Sequence, residues 1–559
     1  MGKKKILLIF VFALILIPFI SAVEFNHVIS NSENWQDVYS TMHYANLQEI
    51  ENDFLTSVNH GQLLLNGISK SKSIQVITSK DKPFVFNYPS MILTEGFENA
   101  EEIEVKEANL ELIEELDKIK NFIIVDDSYG YNAIAVTPYA LITNSWVFLA
   151  NKHNINEIDK ILSNRKTEKV ILYGYLDREI RDTLEKYNPE TINNKDKFED
   201  NIQIVEKFLK LKNTKQVLLT NGAFIEKEII GGKEPILFTG NENVPDQIRD
   251  YLKNSEIEIG VLIGNELMSA ATNIRRSTGI SVMVKFARGA RSENDGISAV
   301  EGLDLFPVPT PILELEIESI KYNTMMDQLE LTYKSNANLP MYLKGTITII
   351  ADGETIRLGD SDPIFITPGG YKTTIYSLEL NDFNDLSANV YTIFGETDSS
   401  LDYVLQEDRI IDTIDIIDRC EIEITSIKYN KQSKEFLINV KNKADVSCWT
   451  TLEIEDLEVG YEEKTIGTEE PTRISKKSSR KIIIQEELLE EDFESNSFIN
   501  VVAHYGERQT SLIKIFSGRF ELKITILTTL TYLIILVILI IIGLLFLYKK
   551  AKKDEDEGY

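Results

Sequence analysis

Cysteine is almost absent from this chain, with two residues in 559, Cys420 and Cys448. That excludes a disulfide-stapled fold and a four-cysteine metal site, and it permits one bridge at most. Histidine is scarce as well, at positions 27, 43, 60, 153 and 504. None of these falls in the His-Glu-x-x-His spacing of a zinc hydrolase, so any metal ligands are unknown; His43 and His60 are the two that could meet in space. The sequence has no Gly-x-Ser-x-Gly elbow and no cysteine beside a histidine. Gly231-Gly232 and Gly264 stand near strand ends, yet without the full glycine pattern of a phosphate loop they read as tight turns. No catalytic residue and no cofactor are therefore expected. Asn-X-Ser/Thr is missing despite many asparagines, so N-linked glycans are not expected. Basic charge is short: 59 Lys and Arg against 88 Asp and Glu give a net charge of −29. That argues against nucleic acid or anionic lipid as a main partner, since both need a basic face.

Long hydrophobic runs occur only at the two ends. Lysines 3 to 5, an apolar run and small residues ending at Ala22 read as a secretory signal, residues 1–22, cleaved after Ala22. Ile524 to Tyr548 carries no charge and is longer than the ~20 residues that cross hydrocarbon. Lysines 549, 550, 552 and 553 follow, so the tail 549–559 is expected in the cytoplasm and the rest outside. The expectation is a cell-membrane protein with a single C-terminal span.

What lies between is long enough for several domains. Three stretches pair a short apolar strand with a helix and a second strand: Asn52 to Ser79, Trp146 to Tyr175 and Pro235 to Asn265. They open at Phe54-Leu55, Phe148-Leu149 and Leu237-Phe238 and close at Val76-Ile77, Ile171-Leu172 and Val261-Leu262. This suits parallel α/β units, and their recurrence at roughly ninety residues reads as internal repetition. Leu176, Ile180 and Leu184 share one helix face, as do Val244, Ile248 and Leu252 behind Pro245. The boundaries are 23–110, 111–200 and 201–292. The first unit is degenerate, since prolines in "KDKPFVFNYPSM" replace a clear second helix.

The "PILFT" strand, the "VPDQIRDYL" helix, the "GVLIGN" strand and a helix beginning near Ser269 resemble the cell-wall-binding repeat of type 2, a family of tandem triplets. "VFLANKHNINEIDKIL" and "VILYGYLDREIRDTL" resemble it in the second unit. The family's two glycines after the last strand are one here, Gly264-Asn265 and Gly174-Tyr175. The resemblance spans roughly residues 30 to 290 and implies attachment to an envelope polymer or a surface layer.

Spaced prolines 307, 309 and 311 read as a stiff linker, 293–311. Beyond it the pattern is β. "IESIKYN" at Ile317 to Asn323 returns as "ITSIKYN" at Ile424 to Asn430, and the flanking strands repeat with it. Two tandem β-sandwiches are expected, 312–412 and 413–520, resembling immunoglobulin-like adhesion modules of prokaryotic surface proteins. In this alignment Cys420 falls opposite Leu313 and Cys448 opposite Met341. An apolar contact exchanged as a pair points to a disulfide worth roughly 3 kcal/mol, with two buried thiols as the alternative.

Four charged stretches remain. Val125 to Asn132, which holds Asp126 and Asp127, and Leu358 to Pro363 gather carboxylates without calcium-loop register, and solvated turns are expected. "EEIEVKEANLELIEELDKIK" reads as an acidic amphipathic helix with Leu110, Ile113 and Leu116 inward. "RISKKSSRKIII", Arg473 to Ile484, is the basic cluster; it suits an anionic polymer or lipid headgroups, or a lysine-guarded strand edge. Taken together, the chain reads as a multidomain, non-catalytic surface protein of archaeal type. Three α/β repeats with parallel sheets form its binding head, two β-sandwiches its stalk and one helix its anchor, and its partner is an envelope polymer or a surface-layer protein. An envelope-modifying enzyme and an accessory subunit of a membrane complex are the alternatives.

Overall fold

The computed structural model describes residues 25–264, 267–285, 304–380, 385–460, 462–525 and 540–545. The expected signal segment and cytoplasmic tail lie outside these residues. Two compact units divide the chain, one of Met1–Gly240 with Gln247–Thr310, the other of Asn241–Asp246 with Pro311–Tyr559.

The first unit holds three parallel four-stranded sheets of the same topology. The first sheet contains β1 (His27–Asn31), β2 (Glu51–Phe54), β3 (Ser73–Ser79) and β4 (Asn99–Val105). The second contains β5 (Asn121–Asp126), β6 (Ser145–Ala150), β7 (Lys169–Tyr173) and β8 (Glu190–Ile192). The third contains β9 (Gln216–Thr220), β11 (Ile236–Phe238), β12 (Ile259–Ile263) and β13 (Ser281–Lys285). In chain order a short strand β10 (Phe224–Ile225) precedes β11, and β14 (Phe306–Pro307) follows β13. Spatial order is β2-β1-β3-β4, β6-β5-β7-β8 and β11-β9-β12-β13. The strand that opens each stretch singled out in the sequence is thus an edge strand. Its following helix crosses over a central strand (β1, β5 or β9) before the chain returns to the sheet. Of these central strands β5 and β9 carry continuous apolar runs because both faces are covered; Ile123, Ile124 and Val125 are fully buried, whereas β1 buries His27, Ser30 and Asn31 beside Val28 and Ile29.

Three local expectations change. The acidic stretch begins as β4 rather than as a helix, because Ile103 and Val105 alternate with glutamates and pair alongside β3. Helix follows only at Ala108–Glu111, with a 3₁₀ turn at Leu112–Glu115, and Leu110, Ile113 and Leu116 are buried as expected. Pro89 does not interrupt the first repeat. It occupies the first turn of the helix Tyr88–Thr94, where a missing N–H costs nothing. The proline segment is not free: β14 pairs antiparallel with β10, and Gly130 N–H donates to Pro309 O at 3.3 Å.

Buried asparagines join the repeats. Asn109 donates to Val147 O at 2.9 Å and accepts from Leu149 N–H at 2.9 Å. Asn201, on the helix Lys197–Leu211, repeats this with Ile236 O at 3.0 Å and Phe238 N–H at 2.7 Å. Each amide acts as a one-residue strand that satisfies the outer edge of β6 or β11, groups that would otherwise be buried without partners.

The second unit holds two sandwiches of matching topology. The first has β15 (Leu315–Asn323), β16 (Gln328–Ser335), β17 (Met341–Ala351), β18 (Glu354–Gly359), β19 (Ile364–Ile366), β20 (Tyr371–Ser377), β21 (Leu386–Gly395), β22 (Tyr403–Ile410) and β23 (Asp412–Ile414). Its counterpart has β24 (Ile422–Asn430), β25 (Glu435–Asn442), β26 (Cys448–Val459), β27 (Glu462–Gly467), β28 (Thr472–Ile474), β29 (Ser479–Gln485), β30 (Phe498–Gly506), β31 (Lys514–Glu521) and β32 (Lys523–Thr525). The orders β20-β16-β15-β23 and β18-β17-β21-β22 recur as β29-β25-β24-β32 and β27-β26-β30-β31. Even the irregularities repeat, with a register shift after Ile317 in one copy and after Ile424 in the other. Cys420 and Cys448 are disulfide-bonded within the second core, Cα to Cα 5.7 Å.

The expected membrane span is corrected. Among the described residues no helix is long and apolar enough to cross a membrane. Ile524 and Thr525 belong to β32, which pairs parallel with Tyr429 and Asn430, as Thr413 and Ile414 pair with Tyr322 and Asn323 in the first sandwich. The span's first residues are therefore the closing strand of a sandwich. Its other residues, apart from the short helical piece 540–545, lie outside the described residues. The single-pass membrane location falls with the span.

Candidate functional site

A pocket of 370 Å³ opens in the first unit between the first and second sheets. It lies beyond the carboxyl ends of β1 and β5, where parallel α/β sheets present ligand sites. Asn34 ends the turn after β1 and accepts from Gln36 N–H at 3.0 Å, capping the helix Trp35–Leu47. That cap aims Gln36 across the pocket, and its Nε2 donates to Asp127 Oδ2 at 3.2 Å. Asn151, after β6, donates to the same Asp127 oxygen at 2.6 Å. Asn151 and Asn154 fold their loop around each other: Asn154 Oδ1 accepts from Asn151 N–H at 2.8 Å, and Asn154 Nδ2 donates to Leu149 O at 2.9 Å. His153, Glu107 and Glu157 complete the rim.

Charge in this pocket is of one sign. Its lining has Asp37, Glu107, Asp127 and Glu157 and neither lysine nor arginine. Burial raises the Asp37 carboxyl above its usual range, while the Ala108 N–H (3.0 Å) and the Ser32 hydroxyl (2.9 Å) pull it back. Asp126 is also raised, by burial first and by neighbouring Asp127 last, against two hydrogen bonds from Ser128. The pocket is thus built to accept hydrogen bonds from hydroxyl or ammonium groups and to repel anions. Of the two aspartates named from the sequence, Asp127 lies in the pocket and Asp126 precedes it at the end of β5. Sequence reading missed Gln36, Asn151, Asn154 and His153. The asparagine-rich "NKHN" directly after a strand was the available signal.

The other nominated residues go elsewhere. His43 is fully buried, stacks on Tyr39 with ring centroids 5.8 Å apart, and lies 3.0 Å from Ser145 O. Burial pushes its pKa down to about 4. His60 faces Asp304 at 3.3 Å, so the two do not share a site. His27 meets Asp53 at 2.9 Å. Asp360 of the second acidic turn accepts from Tyr376 OH and Gly345 N–H, both at 2.7 Å, a structural role. Among the described residues no group of three or more His, Cys, Asp or Glu could hold a metal ion.

One further cluster joins the two sandwiches within the second unit. Lys372 of β20 donates to Glu453 of β26 at 2.8 and 3.1 Å, and its Nζ lies 2.8 Å from His504 Nε2 of β30. All three are nearly inaccessible. Burial alone would raise Glu453, but Lys372 and His504 overcome it and hold the carboxyl at about 2.

No protein-family model matches the chain, and no curated protein matches it. Among solved structures, Cwp8 from Clostridium difficile is similar at 15% identity over 46% of this chain and 48% of that one, with a TM-score of 0.38. A structure concerning host cell surface retention of a 1.5-MDa bacterial ice-binding adhesin is 12% identical over 39% of this chain and 65% of that one, at 0.15. A chaperone–tip adhesin complex of CFA/I fimbriae is 10% identical over 37% and 98%, at 0.14. The chain thus spans about half the length of the Cwp8 chain. Likenesses at these scores carry no weight for fold or function, and both rest on the geometry described above.

Proposed function

We propose that this chain is a non-catalytic cell-surface binding protein whose α/β unit holds a hydroxyl-rich polymer of the envelope, with the sandwiches as spacer. The observation that carries the reading is the pocket beyond β1 and β5. Its amides and the carboxylates of Asp37 and Asp127 are held by hydrogen bonds within the protein, and its lining includes neither lysine nor arginine. Preset acceptors at a strand end suit sugar hydroxyls, each worth roughly 1 kcal/mol net. They suit a phosphorylated unit badly. Asp127 receives two side-chain amides on one oxygen, an arrangement that positions a carboxylate rather than freeing it as a base.

The test is co-sedimentation of the full chain with purified envelopes at about 0.5 M salt, where the screening length falls to about 4 Å and nonspecific charge attraction is weak. Wild type is expected to bind saturably, and Gln36→Ala with His153→Ala to bind at least tenfold more weakly. Periodate treatment of the envelopes, which destroys vicinal diols, is expected to abolish binding. Undiminished binding by the double variant, or binding that survives periodate, overturns the reading.

A further inference from the structure

The second sandwich carries a basic face on an otherwise acidic chain. β24, β25 and β29 are neighbours, with Lys428 paired to Leu437, Lys441 to Ser479 and Asn439 to Lys481. Ile427, Val440 and Ile482 are buried, so strand alternation turns Lys428, Lys441 and Lys481 outward. At the end of the same sheet Lys443 is exposed, as are Lys476 and Lys477 in the turn before β29, while the exposed Arg473 lies on β28, which pairs with β26 of the other sheet. Two carboxylates answer them, Glu423 at 3.0 Å from Lys443 and Asp445 at 3.3 Å from Lys477. Among the described residues Lys428, Lys441, Lys476 and Lys481 have no ion pair.

The first sandwich shows what the scaffold alone requires. Its register sets Phe365, Pro368, Gly369 and Thr373 where Arg473, Lys476, Lys477 and Lys481 stand. Its Lys334, the counterpart of Lys441, is neutralised by Glu316 at 2.9 Å. Lys477 takes a left-handed backbone, φ 51°, and its counterpart Gly369 has φ 66°. A side chain is strained there and glycine is not, so the backbone gives no reason for the lysine, whose Nζ donates to Lys443 O at 2.6 Å.

We propose that this face is a docking surface for an anionic polymer, one that bears phosphate or carboxylate groups along its length. The net charge of −29 does not forbid it, because the screening length is about 8 Å at physiological salt and only local charge is felt. Strand rise of about 3.3 Å and strand spacing of about 4.8 Å spread the cations over a strip rather than a point, which matches repeated charge on a linear chain. A lipid surface would call for apolar side chains to insert, and Ile483 is the large exposed one on this face. The head pocket repels anions, so the two surfaces would hold chemically different components, and neither reading depends on the other.

The probe is long-chain polyphosphate, titrated into the full chain at several salt concentrations. Lys428→Gln, Lys441→Gln and Lys481→Gln together are expected to weaken binding at least tenfold. They should also reduce the slope of log K against log salt by about two, in proportion to the contacts removed. Lys118→Gln, Lys160→Gln and Lys253→Gln, exposed lysines elsewhere, should change neither. Equal binding by the two triple variants overturns the proposal. So does capture of phosphatidylglycerol vesicles with no binding of polyphosphate, or no binding of either.

Discussion

Replacing Lys372 by methionine keeps the packing of its stem and removes the cation that faces Glu453. In the wild type Glu453 is held at about 2, against an ordinary glutamate near 4.5. A group whose folded pKa is depressed contributes stability above its unfolded value and loses it as pH falls through the folded one. A gap of about 2.5 units corresponds to about 3 kcal/mol, present at pH 7 and absent below about pH 2. The same size is expected for leaving a buried carboxylate without its partner. At pH 3 the unfolded glutamate is largely protonated and the folded one is not, so less than half of that contribution remains. For a unit of this size 3 kcal/mol corresponds to roughly 6–12 °C in Tm. Scanning calorimetry of the full chain at pH 7 and pH 3 reads the difference. Lys372→Met should lower the transition of the sandwich unit by that amount at pH 7 and by less than half of it at pH 3. His504 also faces Glu453, at 3.4 Å, so Lys372→Met with His504→Phe is the stricter comparison. A loss that is the same at both pH values would refute the charge argument and leave stem packing as its cause.

Asn109→Ala and Asn201→Ala should each cost about 2–3 kcal/mol, since one amide satisfies two buried backbone groups; hydrogen exchange should show lost protection at the Leu149 or Phe238 amide. Reducing the Cys420–Cys448 bridge reopens a loop with a sequence separation of 28. That should cost about 3.5 kcal/mol and lower one calorimetric transition only. His43, held neutral with a pKa of about 4, makes the head lose about 3 kcal/mol as pH falls from 6.5 to 4, because the unfolded chain takes the proton first. His43→Phe should flatten that dependence, measured as the Tm of the head transition against pH.

The duplicated "SIKYN" strand was legible because each copy buries the same side, Ile320 and Tyr322 in one and Ile427 and Tyr429 in the other. Amphipathic helices such as Arg178–Leu184 were legible for the same reason, through Ile180 and Leu184. Sheet order was not. Strands β5 and β9 are apolar on both faces and β1 mixes buried polar and apolar residues, so none gives a periodicity, and edge strands were taken as the start of each unit. In β4 a run of glutamates masked an alternation of two residues. The closing strand β32 adjoins an apolar run, and composition does not separate the two. The pocket was half legible: Asp127 drew notice as part of an acidic turn, but Gln36 and Asn151 reach it from other elements, and only the fold brings them together.

Each sandwich is closed by its last strand lying parallel to its first, β23 beside β15 and β32 beside β24. The chain therefore enters a sandwich at one end of a strand pair and leaves at the other. Tension between the two termini loads the inter-strand hydrogen bonds along the strands, so they must yield together rather than one after another. Lys321 to Asn323 with Asp412 to Ile414, and Lys428 to Asn430 with Lys523 to Thr525, are two such shear clamps in series. A surface protein pulled from its binding end would meet its mechanical resistance there, at six residue pairs of which Tyr322 and Tyr429 also belong to the buried cores.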